Sequence, residues 1–253
     1  MIDLRLGNCL APDGLAALAA GSIDVAITDP PFDARTHRAA LEAERPGRRR
    51  KIGGALPFDA LGEAELVRIA AELARVTRRW ILVFSAERHV EAWAAALERA
   101  GARFIRLGFA NRTNARPQMS GDRPAPAADP IVIAHGTGAP LRWNGGGRPA
   151  RWDSPAARFD EGGQQHPTQK PLALMRALVA DFSEPGEIVL DPFAGVGTTL
   201  VAAKLLGRRA LGWEVNDVYH AAGLRRLSGT HEQLSLIDRN PVGVANAVGQ
   251  LIA

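Results

Sequence analysis

Short apolar runs that alternate with stretches of helical periodicity constrain this chain more than any other feature. Ile2–Leu6, Ile23–Thr28, Trp80–Phe84, Phe104–Phe109, Pro130–Ala134, Ile188–Leu190 and Ala210–Trp213 read as strands. Leu66, Ile69, Ala70, Leu73 and Val76 recur at helical spacing, as do Val90, Trp93, Ala94 and Leu97 ahead of Gly101. Pro12–Ala20 reads as a further helix, and Thr198–Leu206 as another. Pro171 opens a helix in the favoured first position, with Leu172, Met175, Leu178, Val179 and Phe182 on its apolar side. Strands and helices at this spacing predict an α/β fold built on a mostly parallel, doubly wound sheet. No apolar run approaches the roughly 20 residues of a membrane helix, and MIDLRLGNCL lacks the pattern of a secretory signal. Cys9 is the only cysteine, which excludes an intrachain disulfide framework and a cysteine-based zinc site, and the six histidines form no HExxH or HxH pair. These features together predict a cytoplasmic protein without a bound metal.

The net charge of +4 is unevenly spread. Residues 33–51 hold seven Lys/Arg against three Asp/Glu, and residues 103–158 hold nine against three, so these segments carry +10 and the rest of the chain −6. Two basic, loop-like segments on an acidic body suit a polyanion partner. The 28 arginines against 3 lysines equally suit a GC-rich genome and solvated surface charge. Residues 33–62 form a polar insertion, and 111–165 a stretch of weak periodicity.

Three motifs lie at the ends of predicted strands or at the start of a predicted helix. Asp191-Pro-Phe193-Ala194-Gly195-Val-Gly197-Thr198-Thr199 links a strand to a helix, where glycines let a ligand approach the backbone near a helix N-terminus. A full dinucleotide fingerprint would need glycine at position 200, which is Leu200. Glu214, at the end of the next strand, suits the two hydroxyls of a ribose. The pair suggests a nucleoside cofactor; the plainer reading is a tight turn and a surface acid. Thr28-Asp29-Pro30-Pro31-Phe32 ends a strand with two prolines that lock the backbone and aim a carboxylate, a carbonyl and a ring into one place. A proline turn with a core phenylalanine would look the same. His166-Pro-Thr168-Gln169-Lys170-Pro171 either presents donors to a carboxylate or simply caps a helix.

TDPPF, HPTQKP and LDPFAGVGTT, in that order, resemble the S-adenosyl-L-methionine-dependent DNA amino-methyltransferases of the β order, in which the catalytic motif precedes the cofactor motif. The resemblance covers most of the chain. Asn114–Pro124 and Arg142–Gly147 are similar to stretches of phage- and prophage-associated adenine methyltransferases. The resemblance implies a Rossmann-like seven-stranded mixed sheet in a three-layer α/β/α arrangement, circularly permuted, as one domain over 1–253 with an inserted basic loop at 33–62 and a small target-recognition region at about 111–165. It also implies a chemistry. Asp29 and the Pro30 carbonyl, with Pro31 and Phe32, would accept the hydrogens of an exocyclic amine and stack a base flipped from duplex DNA. Asn8 and Cys9 would flank the cofactor's adenine. Asp29, Asp191, Phe193, Ala194, Gly195, Gly197, Thr198, Thr199, Glu214 and Asn216 would hold the rest of it, with His166, Thr168, Gln169 and Lys170 toward its carboxylate. Arg35, Arg48, Arg49, Arg50, Lys51, Arg112, Asn114, Arg116, Arg123 and Asn144 would contact DNA. The implied product is S-adenosylhomocysteine; a homodimer is compatible with the family.

Phe32 stands where the family usually has tyrosine, which preserves stacking and loses a phenol. Cys9 sits outside any Pro-Cys dipeptide, so methylation at cytosine carbon 5 is disfavoured. Asp29, where cytosine N4 enzymes usually carry serine, favours adenine N6; cytosine N4 is the alternative. A DNA-binding module without turnover, a methylase of protein glutamine or RNA amines, and a nicotinamide oxidoreductase fit the motifs or their order less well.

Overall fold

The computed structural model describes residues 1–31, 61–115, 117–155 and 169–230. Among these residues, eight strands form one sheet: β1 (Ile2–Leu6), β2 (Ile23–Thr28), β3 (Thr77–Phe84), β4 (Arg103–Arg112), β5 (Ala128–His135), β6 (Arg151–Ser154), β7 (Ile188–Asp191) and β8 (Arg209–Glu214). Their order is β1-β8-β7-β2-β3-β5-β4-β6. β5 runs antiparallel to both neighbours, β3 and β4, and the other pairings are parallel. The predicted sheet therefore forms with one strand more than seven. The extra strand, β6, has four residues with alternating burial, too short to stand out from the weakly periodic stretch around it.

Helices cover both faces. α1 (Glu63–Val76) and α2 (Val90–Arg99) pack on one side through Leu66, Ile69, Leu73, Trp93 and Leu97. α3 (Leu172–Phe182), α4 (Thr198–Leu205) and α5 (Asp217–Ser228) cover the other through Met175, Leu178, Leu200, Val201 and Leu227. β2, whose six residues are all buried, lies mid-sheet between these layers. Glu65 accepts a hydrogen bond from the Gly62 amide at 3.0 Å, satisfying a donor at the start of α1.

The helix expected over 12–20 is only a three-residue 3-10 turn at Leu15–Ala17. Gly14 explains this: a Cβ there would lie 2.2 Å from the Cys9 carbonyl oxygen, so the chain passes too close to that carbonyl for a helix of ordinary residues. The Leu15 amide bonds that same oxygen at 2.8 Å. α5 has no counterpart in the sequence reading. Its weak amphipathic pattern follows from arginines on a helix whose buried side mixes Tyr219 and Leu227 with the small residues Ala222 and Gly223. The basic insertion lies almost wholly outside the described residues. No described helix is long and apolar enough to cross a membrane.

Candidate active site

The carboxyl ends of β2 and β7 lie side by side where the winding reverses, with β3 on one flank and β8 on the other. Open α/β sheets form their crevice at such a switch point. β7 delivers Asp191 there, and β2 delivers Thr28 and Asp29.

Asp191 is buried and both of its oxygens are engaged. Oδ1 accepts from the Thr28 hydroxyl at 2.9 Å and the Phe193 amide at 3.1 Å, and Oδ2 accepts from the Thr199 hydroxyl at 2.5 Å. Its first task is thus to build the turn that a ligand would meet, by tying β2, β7 and α4 together. Burial pushes its carboxyl up to about 6 despite these donors. Between about pH 4 and 6 the native state therefore keeps a proton that the unfolded chain has released, so stability falls as pH rises through that window. Asp191→Asn removes the titration. Wild-type stability relative to the variant is expected to drop by about 2 kcal/mol from pH 4 to pH 7 in urea unfolding; parallel curves would refute this assignment.

The glycine loop follows. Gly195 (φ +55°) and Gly197 (φ +74°) adopt the left-handed conformation that other residues disfavour. A Cβ on Gly195 would meet nothing within 4 Å, so this backbone borders open space. The Ala194 amide bonds the Trp213 carbonyl at 2.9 Å, and Arg226 of α5 bonds the Val196 carbonyl at 2.6 Å and the Thr198 hydroxyl at 3.0 Å. Arg226 is a brace the sequence reading missed, because its helix was unread.

Glu214 ends β8 opposite Leu6, beside the turn holding Asn8 and Cys9. It is only 7% exposed, and burial holds its carboxyl above the usual range, opposed by backbone amides such as that of Asn216, which donates to Oε1 at 2.7 Å. Several neighbours predicted as cofactor contacts have a local duty. Asn216 caps α5, accepting from the Tyr219 amide at 3.0 Å. Asn8 accepts from the Leu10 amide at 2.9 Å. Cys9 packs among Leu15, Ala26, Leu190 and Leu211, and burial pushes its thiol up to about 12, which removes it as a nucleophile at neutral pH.

At Asp29 the arrangement departs most from expectation. Lys170 Nζ lies 3.0 Å from Asp29 Oδ2 and 3.4 Å from Asp129 Oδ2, with its charge 4.7 Å from the Phe84 ring centroid. The ammonium expected to face a cofactor carboxylate is instead shared between two carboxylates of the protein. Asp29 Oδ1 is buried and has no hydrogen-bond partner among the described residues. Burial raises the Asp29 carboxyl, opposed chiefly by the Lys170 charge. Asp129 belongs to no motif; its only mark in the sequence is its place before Pro130 at the head of an apolar run.

The predicted DNA contacts separate. Arg123 is exposed and pairs with Asp122 at 2.7 Å. Arg112 pairs with Asp129 at 3.0 Å. Asn114 lies in the turn after β4. Asn144 is exposed and has a structural duty: its side-chain amide donates to the Ala180 and Ser183 carbonyls at 2.9 and 3.1 Å, stapling the 142–147 turn onto the end of α3. That turn also walls a cavity of about 300 Å³ with Trp80, Trp143 and Phe182, lined by neither Asp29 nor Glu214. Phe32, Arg35, Arg48, Arg49, Arg50, Lys51, Arg116, His166 and Thr168 lie outside the described residues.

The chain is 44% identical over 98 residues to the DNA adenine methyltransferase YhdJ of Escherichia coli (strain K12), a match spanning 36% of this chain and only 33% of that protein. YubD, also of Escherichia coli (strain K12) and named as a methylase, is 29% identical over 235 residues, covering 90% of this chain and 91% of its own. Among solved structures, the M1.HpyAVI–SAM complex superposes with a TM-score of 0.66 at 24% identity, over 90% of this chain and 99% of that one. The cytosine-N4-specific PvuII DNA methyltransferase superposes with a TM-score of 0.67 at 15% identity, over 97% and 91%. Both share the fold. The sequence profile of the DNA methylases acting on N6 and N4 amines matches residues 23–225, from the start of β2 into α5. With most of its length so matched, this chain belongs to the N6/N4 DNA methylase family.

Proposed function

We propose that this chain methylates the exocyclic N6 of adenine in duplex DNA with S-adenosyl-L-methionine as the donor. The observation that carries the reading is Asp29 Oδ1, a buried carboxylate oxygen at the switch point that has no partner among the described residues. An unpaired buried acceptor is costly unless a ligand donates to it, and an exocyclic amine offers two hydrogens. Asp29 accepts one and the Pro30 carbonyl the other. This draws the nitrogen lone pair out of conjugation with the ring and toward the methyl donor. Phe32 stacks on the base, returning roughly 1–3 kcal/mol against the cost of flipping it.

The crevice suits the donor. Gly195 borders open space beside Glu214, whose carboxylate takes the ribose hydroxyls. Backbone from Phe193 to Thr198 lines the methionine side, and Asn8 the adenine side. When bound, S-adenosyl-L-methionine supplies an electrophilic methyl group. Adenine is favoured over cytosine because the catalytic motif begins with Asp29 and because YhdJ, similar over 98 residues, is named an adenine enzyme. Arg123 and the basic run Arg48–Lys51 hold phosphates.

The test is to incubate duplex DNA with the protein and isotope-labelled S-adenosyl-L-methionine, then identify the labelled nucleoside by mass spectrometry. N6-methyladenine is expected. N4-methylcytosine would transfer the same machinery to the other base, and no labelled nucleoside would mean a DNA-binding fold without turnover.

A further inference from the structure

We infer that Asp129 is a positioning residue for methyl transfer: it holds Lys170 on Asp29 Oδ2 and so leaves Oδ1 as the acceptor for the substrate amine. This rests on the amine-methylation reading above. Four charges alternate in a row, Arg112, Asp129, Lys170 and Asp29, with contacts of 3.0, 3.4 and 3.0 Å. They come from four places in the chain: the end of β4, the head of β5, the segment before α3, and the end of β2. No local turn requires them to meet.

A carboxylate that can rotate about its Cβ–Cγ bond offers either oxygen to a substrate. An ammonium fixed at one oxygen stops that rotation. A lysine alone is a poor fixture, because four flexible bonds carry its charge. Here Asp129 pulls from one side, Asp29 from the other, and the Phe84 ring lies 4.7 Å from the charge. Without Asp129 the ammonium is free to move across both Asp29 oxygens and compete with the amine for Oδ1.

The row also sets how readily Asp29 ionises. Among the described residues, the charged groups around it are Lys170, Asp129, Asp191 on the adjacent strand, and Arg112 beyond Asp129. Lys170 favours the carboxylate and Asp129 disfavours it. Removing them therefore has opposite effects. Lys170→Met moves the acid limb of kcat to higher pH, whereas Asp129→Asn moves it to lower pH even as the plateau falls.

The experiment measures pH profiles of kcat for the full chain and these two variants, with DNA KM and S-adenosyl-L-methionine affinity. Asp129→Asn is expected to lower plateau kcat at least tenfold, keep KM and cofactor affinity within about twofold, and shift the acid limb down; Asp129→Glu restores most of the rate. An Asp129→Asn enzyme with wild-type kcat and an unmoved limb overturns the proposal. The Asp29 carboxyl carbon, assigned by its loss in Asp29→Asn, is titrated by NMR in the same proteins without ligand. Its midpoint should fall in Asp129→Asn and rise in Lys170→Met, and an unchanged midpoint in both overturns the proposal. If the wild type transferred no methyl group, the amine-methylation reading would fail, and the titration would still decide whether the row couples to Asp29.

Discussion

Asp29→Ala is expected to lower methyl transfer by roughly a thousandfold while S-adenosyl-L-methionine affinity changes only a few-fold. The size follows from what the side chain supplies. Removing one preorganised hydrogen-bonding group that acts on charge developing in a transition state typically costs about 10²–10³ in rate, and Asp29 also aligns the amine. The fold should survive the change. Lys170 keeps Asp129 as a partner at 3.4 Å, so its ammonium does not become an unpaired buried charge. A carboxylate already penalised by burial is also no great loss to stability. Single-turnover kinetics with prebound cofactor separate the chemical step from binding. Wild-type turnover in the variant would remove Asp29 from the reaction.

Glu214→Ala is expected to act on the other side of the ledger of effects, weakening S-adenosyl-L-methionine by about 30- to 100-fold with kcat near wild type at saturating donor. Hydrogen bonds to a charged group contribute about 1.5–3 kcal/mol, and a tenfold change in affinity corresponds to about 1.4 kcal/mol. Alanine also strands the Asn216 amide, which now bonds Oε1 at 2.7 Å at the start of α5. Glu214→Gln keeps that acceptor and the side chain's shape, so it isolates the charge and should cost about tenfold. Calorimetry with the unliganded protein is the measurement. Affinity unchanged in both variants would move the ribose contact to another residue.

The parts of the fold that could be read in advance are those where one residue pattern admits one structure. WILVF is wholly apolar and IDVAIT largely so, which places both mid-sheet, and α1 buries the five residues its spacing singles out. Asp191 and Glu214 could be located because each ends a strand at a chemically marked loop. The missing pieces obey longer-range physics. β6 exists only because β4 offers it an edge, and four residues carry no period of their own. Asp129 reaches Lys170 through the antiparallel course of β5, which no neighbouring residue announces. Asn144 has partners equally remote in sequence, because its amide donates to carbonyls at the end of α3, and nothing in the glycine turn around it announces them.

The strand order has a consequence for biosynthesis. β2 carries the Asp29 turn, and one of its two sheet neighbours is β7, about 160 residues later in the chain. At ribosomal speeds that interval lasts roughly 8 to 30 s. Throughout it the nascent chain displays a largely apolar strand with one side unpaired, the kind of edge that recruits other chains. β1 waits longer still for β8. Folding should therefore be late and all at once. Fragments that stop short of β7 are expected to aggregate rather than yield a half-sheet, and heterologous expression should benefit from slower synthesis or chaperone supply.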